Sequence, residues 1–213
     1  MKQLVIIGAG GFGREILEWA IACPAYRKEW EVAGFLDDRP DALDNFPSIG
    51  LPILGNTQDY EPRNDQVFVT ALGRPEWRAE IWSRFVDRGA NFTRLVHESC
   101  IIGRRVELGA GVVLCPGVTL TCDIQVGENT ALNVKTAAGH DAVIGRDCQI
   151  SSYCDITGYV SVGDRVFMGS RASIIPGKRV GGGTTVGAGS VVVSNIPENV
   201  TVFGNPARVL TRH

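Results

Sequence analysis

This chain of 213 residues is poor in several things at once: it has three histidines, two methionines and almost no net charge, which is −2 at neutral pH. Near-neutrality removes the broad electrostatic attraction that draws proteins to nucleic acid or to anionic membranes, so neither partner is expected. No apolar run approaches the length of a membrane span. The opening MKQLVIIGAGG is too short in its apolar stretch for a secretory leader and lacks a cleavage site, which points to the cytoplasm. No CxxC pair occurs among Cys23, Cys100, Cys115, Cys122, Cys148 and Cys154. They read as reduced core fillers, not as disulfides or metal ligands.

What the chain does have is a period of six. An aliphatic residue recurs in unbroken register from Val96 through Ile102, Leu108 and Leu114 to Val186 and Val192, with Ala138 the one small residue in the column. Glycine often follows it, as at Gly103, Gly127, Gly139, Gly145 and Gly163. Two residues ahead of each aliphatic runs a second column of small or β-branched residues, among them Val112, Val118, Thr130, Ala142, Cys148 and Cys154. No α-helix has this period, and a simple amphipathic strand has a period of two. A short fixed repeat with one obligatory apolar slot and a turn glycine predicts a parallel β-helix, in which stacked coils bury each other's columns.

The first 92 residues read differently. Residues 3–7 form a short buried strand, followed at once by Gly8-Ala9-Gly10-Gly11-Phe12-Gly13, a GxGxxG turn. The spacing predicts a helix from about residue 11 to 23, with Ile16, Leu17, Ala20 and Ile21 on one face and Pro24 ending it. A second strand over 31–36 closes on Asp37-Asp38, about where a dinucleotide fold places its ribose-binding carboxylate. Residues 39–62 read mostly as loop. A third strand covers 67–72, a second helix runs from Pro75 to about residue 88 with Trp77, Ile81, Trp82 and Phe85 as its buried stripe, and a further strand spans 92–96. The expected organisation is an α/β unit with a short parallel sheet, Rossmann-like but half-sized, over 1–92, followed by the β-helix over 93–213.

Glycines in such a turn allow close backbone approach, and the free amides at a helix N-terminus suit phosphate. Alone the motif would point to NAD; the half-sized unit and the β-helix behind it favour the pyrophosphate of a nucleotide sugar, with a purely structural turn as the plain alternative. Asp37 and Asp38 could accept hydrogen bonds from a base or ribose, or simply end a strand. Lys178 and Arg179, on a late coil, could meet phosphates or face solvent.

His140 is the sharpest candidate for chemistry. His97 opens the repeat and His213 ends the chain, whereas His140 sits mid-repeat in Gly139-His140-Asp141, outside both inward columns. Imidazole titrates near neutrality, and an adjoining carboxylate can fix its tautomer. One histidine within the coils is too few for the three-imidazole zinc site of a β-helical hydratase.

The repeat, the glycine turn, Leu36-Asp37-Asp38, Ala71-Leu72-Gly73 with Arg78, the block from Asn133 to His140-Asp141, and Phe203-Gly204-Asn205-Pro206-Ala207-Arg208 together resemble the hexapeptide-repeat sugar O/N-acyltransferases. That subfamily includes enzymes acting on nucleotide-linked 4-amino-sugars and the sialic acid O-acetyltransferases. The resemblance implies a left-handed parallel β-helix with three repeats per coil, a homotrimer, and acetyl-CoA as co-substrate with no metal. It implies His140 as general base, Asp141 as its orienting acid and Asn133 as a third member of the site. It places the sugar nucleotide on the N-terminal unit at Gly10, Gly11, Phe12, Asp37, Asp38 and Gly73, and acetyl-CoA near Gln149, Gly158, Gly169 and Ser170. Phe12 and Gln149 stand where some relatives carry histidine. The implied reaction is acetyl-CoA-dependent N-acetylation of a nucleotide-linked amino-sugar by direct attack, with the Gly158 amide as a candidate oxyanion donor. The competing readings are O-acetylation of a sugar hydroxyl, as in sialic acid or polysaccharide, and a non-catalytic nucleotide-binding scaffold.

Overall fold

The computed structural model describes residues 1–212, and His213 lies outside them. The N-terminal part is a parallel sheet of β1 (Lys2–Ile7), β2 (Trp30–Leu36), β3 (Ile53–Gly55) and β4 (Gln66–Thr70) in the order β3-β2-β1-β4. Helices α1 (Gly11–Ile21) and α2 (Pro75–Asp87) cover its two faces. That is why β1 is a continuous apolar run. Leu4 and Ile6 point into the cluster around Ile16, Leu17 and Ala20 of α1, while Val5 and Ile7 point into the one around Ile81 and Phe85 of α2.

Several sequence expectations change here. The stretch expected to be loop supplies β3, an edge strand too short to show a pattern. The third strand ends at Thr70 and not at residue 72, although the Ala71 amide still donates to the Ile7 carbonyl. The strand expected over 92–96 is only Leu95–Val96, with Phe92 forming an isolated bridge to Phe68. Ile21 at the end of α1 is 46% exposed. Trp77 is 53% exposed, and the first buried position of α2 beyond Pro75 belongs instead to Arg78, which has no exposure at all. A charged side chain at a buried slot is invisible to a hydrophobic-stripe argument.

From Leu95 onward the chain winds into a three-sided parallel β-helix. Strands pair in register with those 18 residues away, as Leu95 with Val113 and Ala131 with Gln149. The first face runs from Leu95–Val96 through Val113–Leu114, Ala131–Leu132, Gln149–Ile150, Phe167–Met168 and Thr185–Val186. Val200–Phe203 and the antiparallel Arg208–Arg212 close it. The second face starts at Ile101–Ile102 and the third at Glu107–Leu108. Both inward columns are buried from Val112 to Val192 except at the half-buried Lys178, while Ile102 in the first coil is 40% exposed for want of a preceding coil.

The column glycines prove to be required by proximity and not by turn geometry. A Cβ on Gly127 would stand 2.6 Å from the backbone of the next coil at Gly145 and Arg146, and one on Gly139 would stand 2.6 Å from the Gly158 nitrogen. The left-handed corner conformation falls two residues later, where Asn129, Asp141, Asp147 and Tyr159 carry it at φ of 54–62° together with other corner residues. Among the described residues no helix is long and apolar enough to cross a membrane.

The α/β unit packs on the outside of the first face, where Val113, Cys115 and Ala131 join the α1 cluster. Arg78 pins this junction. Its Nη1 donates to the carbonyls of Thr70 and Leu72, each at 3.1 Å, and its Nε donates to the Asn129 carbonyl at 2.9 Å. Asn129 returns its amide group to the Arg78 carbonyl at 3.0 Å and to Asp147 at 2.7 Å. Burial pulls the guanidinium down to about 10, against the opposing charge of Asp147. Replacing Arg78 with Met would leave these carbonyls buried and unpaired, an expected loss of about 3 kcal/mol or more. Thermal denaturation should show a midpoint lower by roughly 6–12 °C, at about 2–4 °C per kcal/mol for a chain of this size.

Candidate active site

His140 stands on the corner between the second and third faces, just after the strand Ala137–Ala138. Because it misses both inward columns its side chain projects outward, 53% exposed. Its Nδ1 lies 2.9 Å from Oδ2 of Asp141, whose left-handed backbone, at φ 59°, turns the carboxylate back toward the ring. With Nδ1–H donated to the carboxylate, Nε2 is the nitrogen left to accept a proton.

The neighbouring coils shape what that nitrogen faces. Gly158 lies one coil on, and a Cβ there would stand 2.7 Å from Nε2 and 2.8 Å from Cε1 of His140. The ring therefore lies directly over the Gly158 backbone. The Gly158 amide donates to no group among the described residues. Tyr159 meets the imidazole edge-on at 4.9 Å between centroids, and its amide donates to the His140 carbonyl. One coil back, Asp141 N–H donates to the Cys122 carbonyl, and Asp123 accepts a two-pronged bond from Arg105. That bond to Arg105 holds the Asp123 carboxyl down to about 2. Tyr159 and the Arg105–Asp123 pair escaped the sequence reading, although counting one step of 18 residues forward and one and two steps back from Asp141 reaches them. Lys178 is on the same corner further along.

The nucleotide-type residues gather at the C-terminal edge of the parallel sheet. Gly10 caps α1 with no side-chain hydrogen bond, and a Cβ on Gly11 would meet nothing within 4 Å, so the amides there are approachable. Gly73 is equally open. Gly13 is structural, since a Cβ there would fall 1.9 Å from the Gly8 carbonyl oxygen. Asp37 accepts from the Ala9 amide at 2.9 Å and from Arg39. Burial alone would raise its pKa, but these bonds outweigh it and hold the carboxyl below its ordinary value. Asp38 accepts from the amide and hydroxyl of Thr57 at 2.7 and 2.9 Å. Both carboxylates thus brace their own loops. Together with Gly8, Arg39 and the exposed Trp77 they line a cavity of about 570 Å³. A larger cavity, of about 650 Å³, lies beside Cys23, His97 and Cys100 and holds none of the expected site residues.

The remaining candidates lie on or beside the first face. Asn133 follows the first-face strand Ala131–Leu132, and its Oδ1 accepts the Val134 amide at 2.7 Å, with no bond to His140 or Asp141. Gly169 and the exposed Ser170 occupy the same corner two coils on. Phe12 packs, partly buried, against the junction cluster. Gln149 is on the first face itself, 4% exposed. Within one chain, then, His140, Asp141 and Gly158 occupy one corner of the prism, and the α/β unit sits against the side opposite it. Among the described residues no cluster of His, Cys, Asp or Glu could hold a metal ion.

Residues 3–85 match the family described as PglD N-terminal domain. The fold is similar to that of PerB from Caulobacter crescentus, solved with CoA and GDP-perosamine, at 30% identity over 99% of this chain and 98% of that one, with a TM-score of 0.88. The chain belongs to the hexapeptide-repeat sugar acyltransferases. This member is also similar to the acetyltransferase domain of PglB from Neisseria gonorrhoeae FA1090, at 26% identity over 99% and 100% of the two chains with a TM-score of 0.87. WeeI from Acinetobacter baumannii AYE is similar at 28% identity, 99% and 100% coverage and a TM-score of 0.85. No curated protein sequence matches.

The Gly158 contact gives a direct test of the ring position in this acyltransferase. Its backbone is not in the left-handed region, so alanine is conformationally allowed and acts only by pushing the imidazole away. Gly158→Ala should leave the melting midpoint within a few degrees of the parent and lower kcat by about 10²-fold, the cost of roughly an ångström of misplacement. Steady-state kinetics beside a melting curve checks both halves.

Proposed function

We propose that this acyltransferase transfers the acetyl group of acetyl-CoA to the amine of a nucleotide-linked amino-sugar, of the 4-amino type, by direct attack with His140 as general base. The single observation that carries the reading is the His140–Asp141 pair, held at 2.9 Å with Nε2 presented over Gly158. The amine forms a C–N bond to the thioester carbonyl carbon while Nε2 takes its proton. As the tetrahedral intermediate collapses the C–S bond breaks, and the proton passes on to the departing thiolate. Asp141 keeps the imidazole in the accepting tautomer and stabilises it once protonated. The free Gly158 amide is placed to donate to the carbonyl oxygen as charge develops there. No covalent acyl-enzyme is needed.

Relatives support the substrate class: perosamine N-acetyltransferase from Caulobacter crescentus, with its histidine replaced, was solved with CoA and GDP-perosamine, and the PglB domain with acetyl coenzyme A. The acetyl-CoA-dependent release of free thiol in the presence of UDP-, dTDP- and GDP-linked amino-sugars tests the reading. His140→Ala at saturating substrates should lose about 10²–10⁴ in kcat with both affinities kept. A loss smaller than about fivefold, well outside that range, would remove His140 from the reaction.

The location of His140 opposite the nucleotide edge supports a second part of the reading. One chain cannot bring a bound sugar to its own imidazole, so the working site forms between copies, in a closed C3 ring working in the cytoplasm. Mixed assemblies of His140→Ala chains with Gly11→Val chains, each inactive alone, should regain part of the parent turnover. No regain on mixing, or a monomer mass by light scattering, would overturn the shared site.

A further inference from the structure

Helix α2 carries two stripes. Arg78, Ile81, Trp82 and Phe85 are buried, whereas Trp77, Glu80, Ile81 and Arg84 follow at the i, i+3, i+4 and i+7 spacing of a second, adjoining face. All four residues of this second face line the cavity of about 570 Å³ that also holds Asp37 and Asp38. Trp77 is thus a cavity wall and not a core residue. The Arg74 guanidinium lies 4.9 Å from its ring centroid and steadies it, while the residue stays 53% exposed. The buried Leu36 and Ile81 add apolar lining.

Charge decides which end of a nucleotide fits there. Asp37, Asp38 and Glu80 set three carboxylates against the guanidiniums of Arg39 and Arg84. An anionic pyrophosphate is disfavoured among them, and the open amides at Gly10 and Gly11 suit it better. Gly8, which opens that glycine turn, lines the cavity too, so the cavity adjoins the turn. The cavity is left for the neutral base, and an exposed aromatic ring is a ready platform for one.

The polar groups decide which base. Asp37 and Asp38 are already engaged by Ala9, Arg39 and Thr57. Glu80 has room: its Oε1 accepts from Arg84 Nη2 at 2.6 Å, its Oε2 has no partner among the described residues, and its side chain is 63% exposed. Arg84 Nη1 reaches Thr57 only at 3.4–3.5 Å, so a donor remains for a ligand. A cation beside a free carboxylate presents a donor and then an acceptor. Guanine offers the complement, its O6 acceptor lying next to its N1–H and N2–H donors. Uracil and thymine carry a carbonyl on each side of N3–H and would turn one of them against the carboxylate.

We propose that α2 selects guanine: Trp77 stacks on the base, Glu80 accepts from N1–H and N2–H, and Arg84 donates to O6. This rests on the nucleotide-sugar reading above and names its nucleotide, guanosine diphosphate. None of the three residues is implied by the family resemblance.

The test is calorimetric titration of the intact protein with GDP, UDP, dTDP and inosine diphosphate, which is GDP without the N2 amino group. GDP should bind roughly 10–100-fold tighter than UDP or dTDP, and about tenfold tighter than inosine diphosphate. Glu80→Ala should weaken GDP until it is level with inosine diphosphate, while UDP and dTDP, which gain nothing from the carboxylate, change by less than about twofold. Trp77→Ala should weaken all four alike by about tenfold or more. Both side chains are exposed, so neither change should unfold the protein. UDP or dTDP binding as tightly as GDP would overturn the assignment. So would a preference for GDP over inosine diphosphate that survives Glu80→Ala, or a parent protein that binds none of the four. Failure of the acetyl-transfer reading shows separately, as no release of thiol from acetyl-CoA with any amino-sugar nucleotide while GDP still binds.

Discussion

The buried guanidinium of Arg78 is the constraint on which the arrangement of the two parts depends. Carried by α2, it sits where the end of β4 and a corner of the β-helix converge, and it gathers backbone carbonyls from Thr70, Leu72 and Asn129. Among the described residues no carboxylate touches it directly, and Asp147 reaches it through Asn129. A cation bound mainly by carbonyl dipoles is a demanding structure, because every acceptor must be in place for the charge to be tolerated away from water. The segment after β4, at the C-terminal edge of the parallel sheet, is thereby fixed to the same coil system that carries His140. The α/β unit is registered on the prism and not merely leaning against it.

The prism in turn acts as a ruler. Its coils repeat every 18 residues, so a side chain's number sets both its corner and its height. That regularity explains how so few special residues make a site. His140 needs Asp141 beside it, Gly158 beneath it and Tyr159 at its edge, and all are placed by the winding with no dedicated loop.

Much of this was legible in the sequence because the β-helix is a one-dimensional pattern. The inward columns, the outward projection of His140 and the strand–glycine turn–helix start all follow from local spacing. What was not legible has one physical origin, namely contacts made between distant segments. Arg78 entered the sequence reading only through the family resemblance, with no sign of its burial, and Trp77 was read as buried beside it. Asp37 and Asp38 looked available to a ligand, yet Ala9, Arg39 and Thr57 already occupy them. The opposition of His140 to the α/β unit could not be read at all until the face that carries that unit was known.

The close approach of the coils at the column glycines has an evolutionary consequence. At Gly127, Gly139, Gly163 and Gly169 even a methyl group would strike the backbone of the next coil. The solenoid therefore has no slack along its axis, and the loss or gain of one residue would carry every later corner out of line. The stacked register is kept when length changes by whole coils, added like courses of brick, or by a loop that leaves and re-enters at one corner, so divergence among such chains is channelled to the corners. New specificities can arise there without disturbing the masonry beneath.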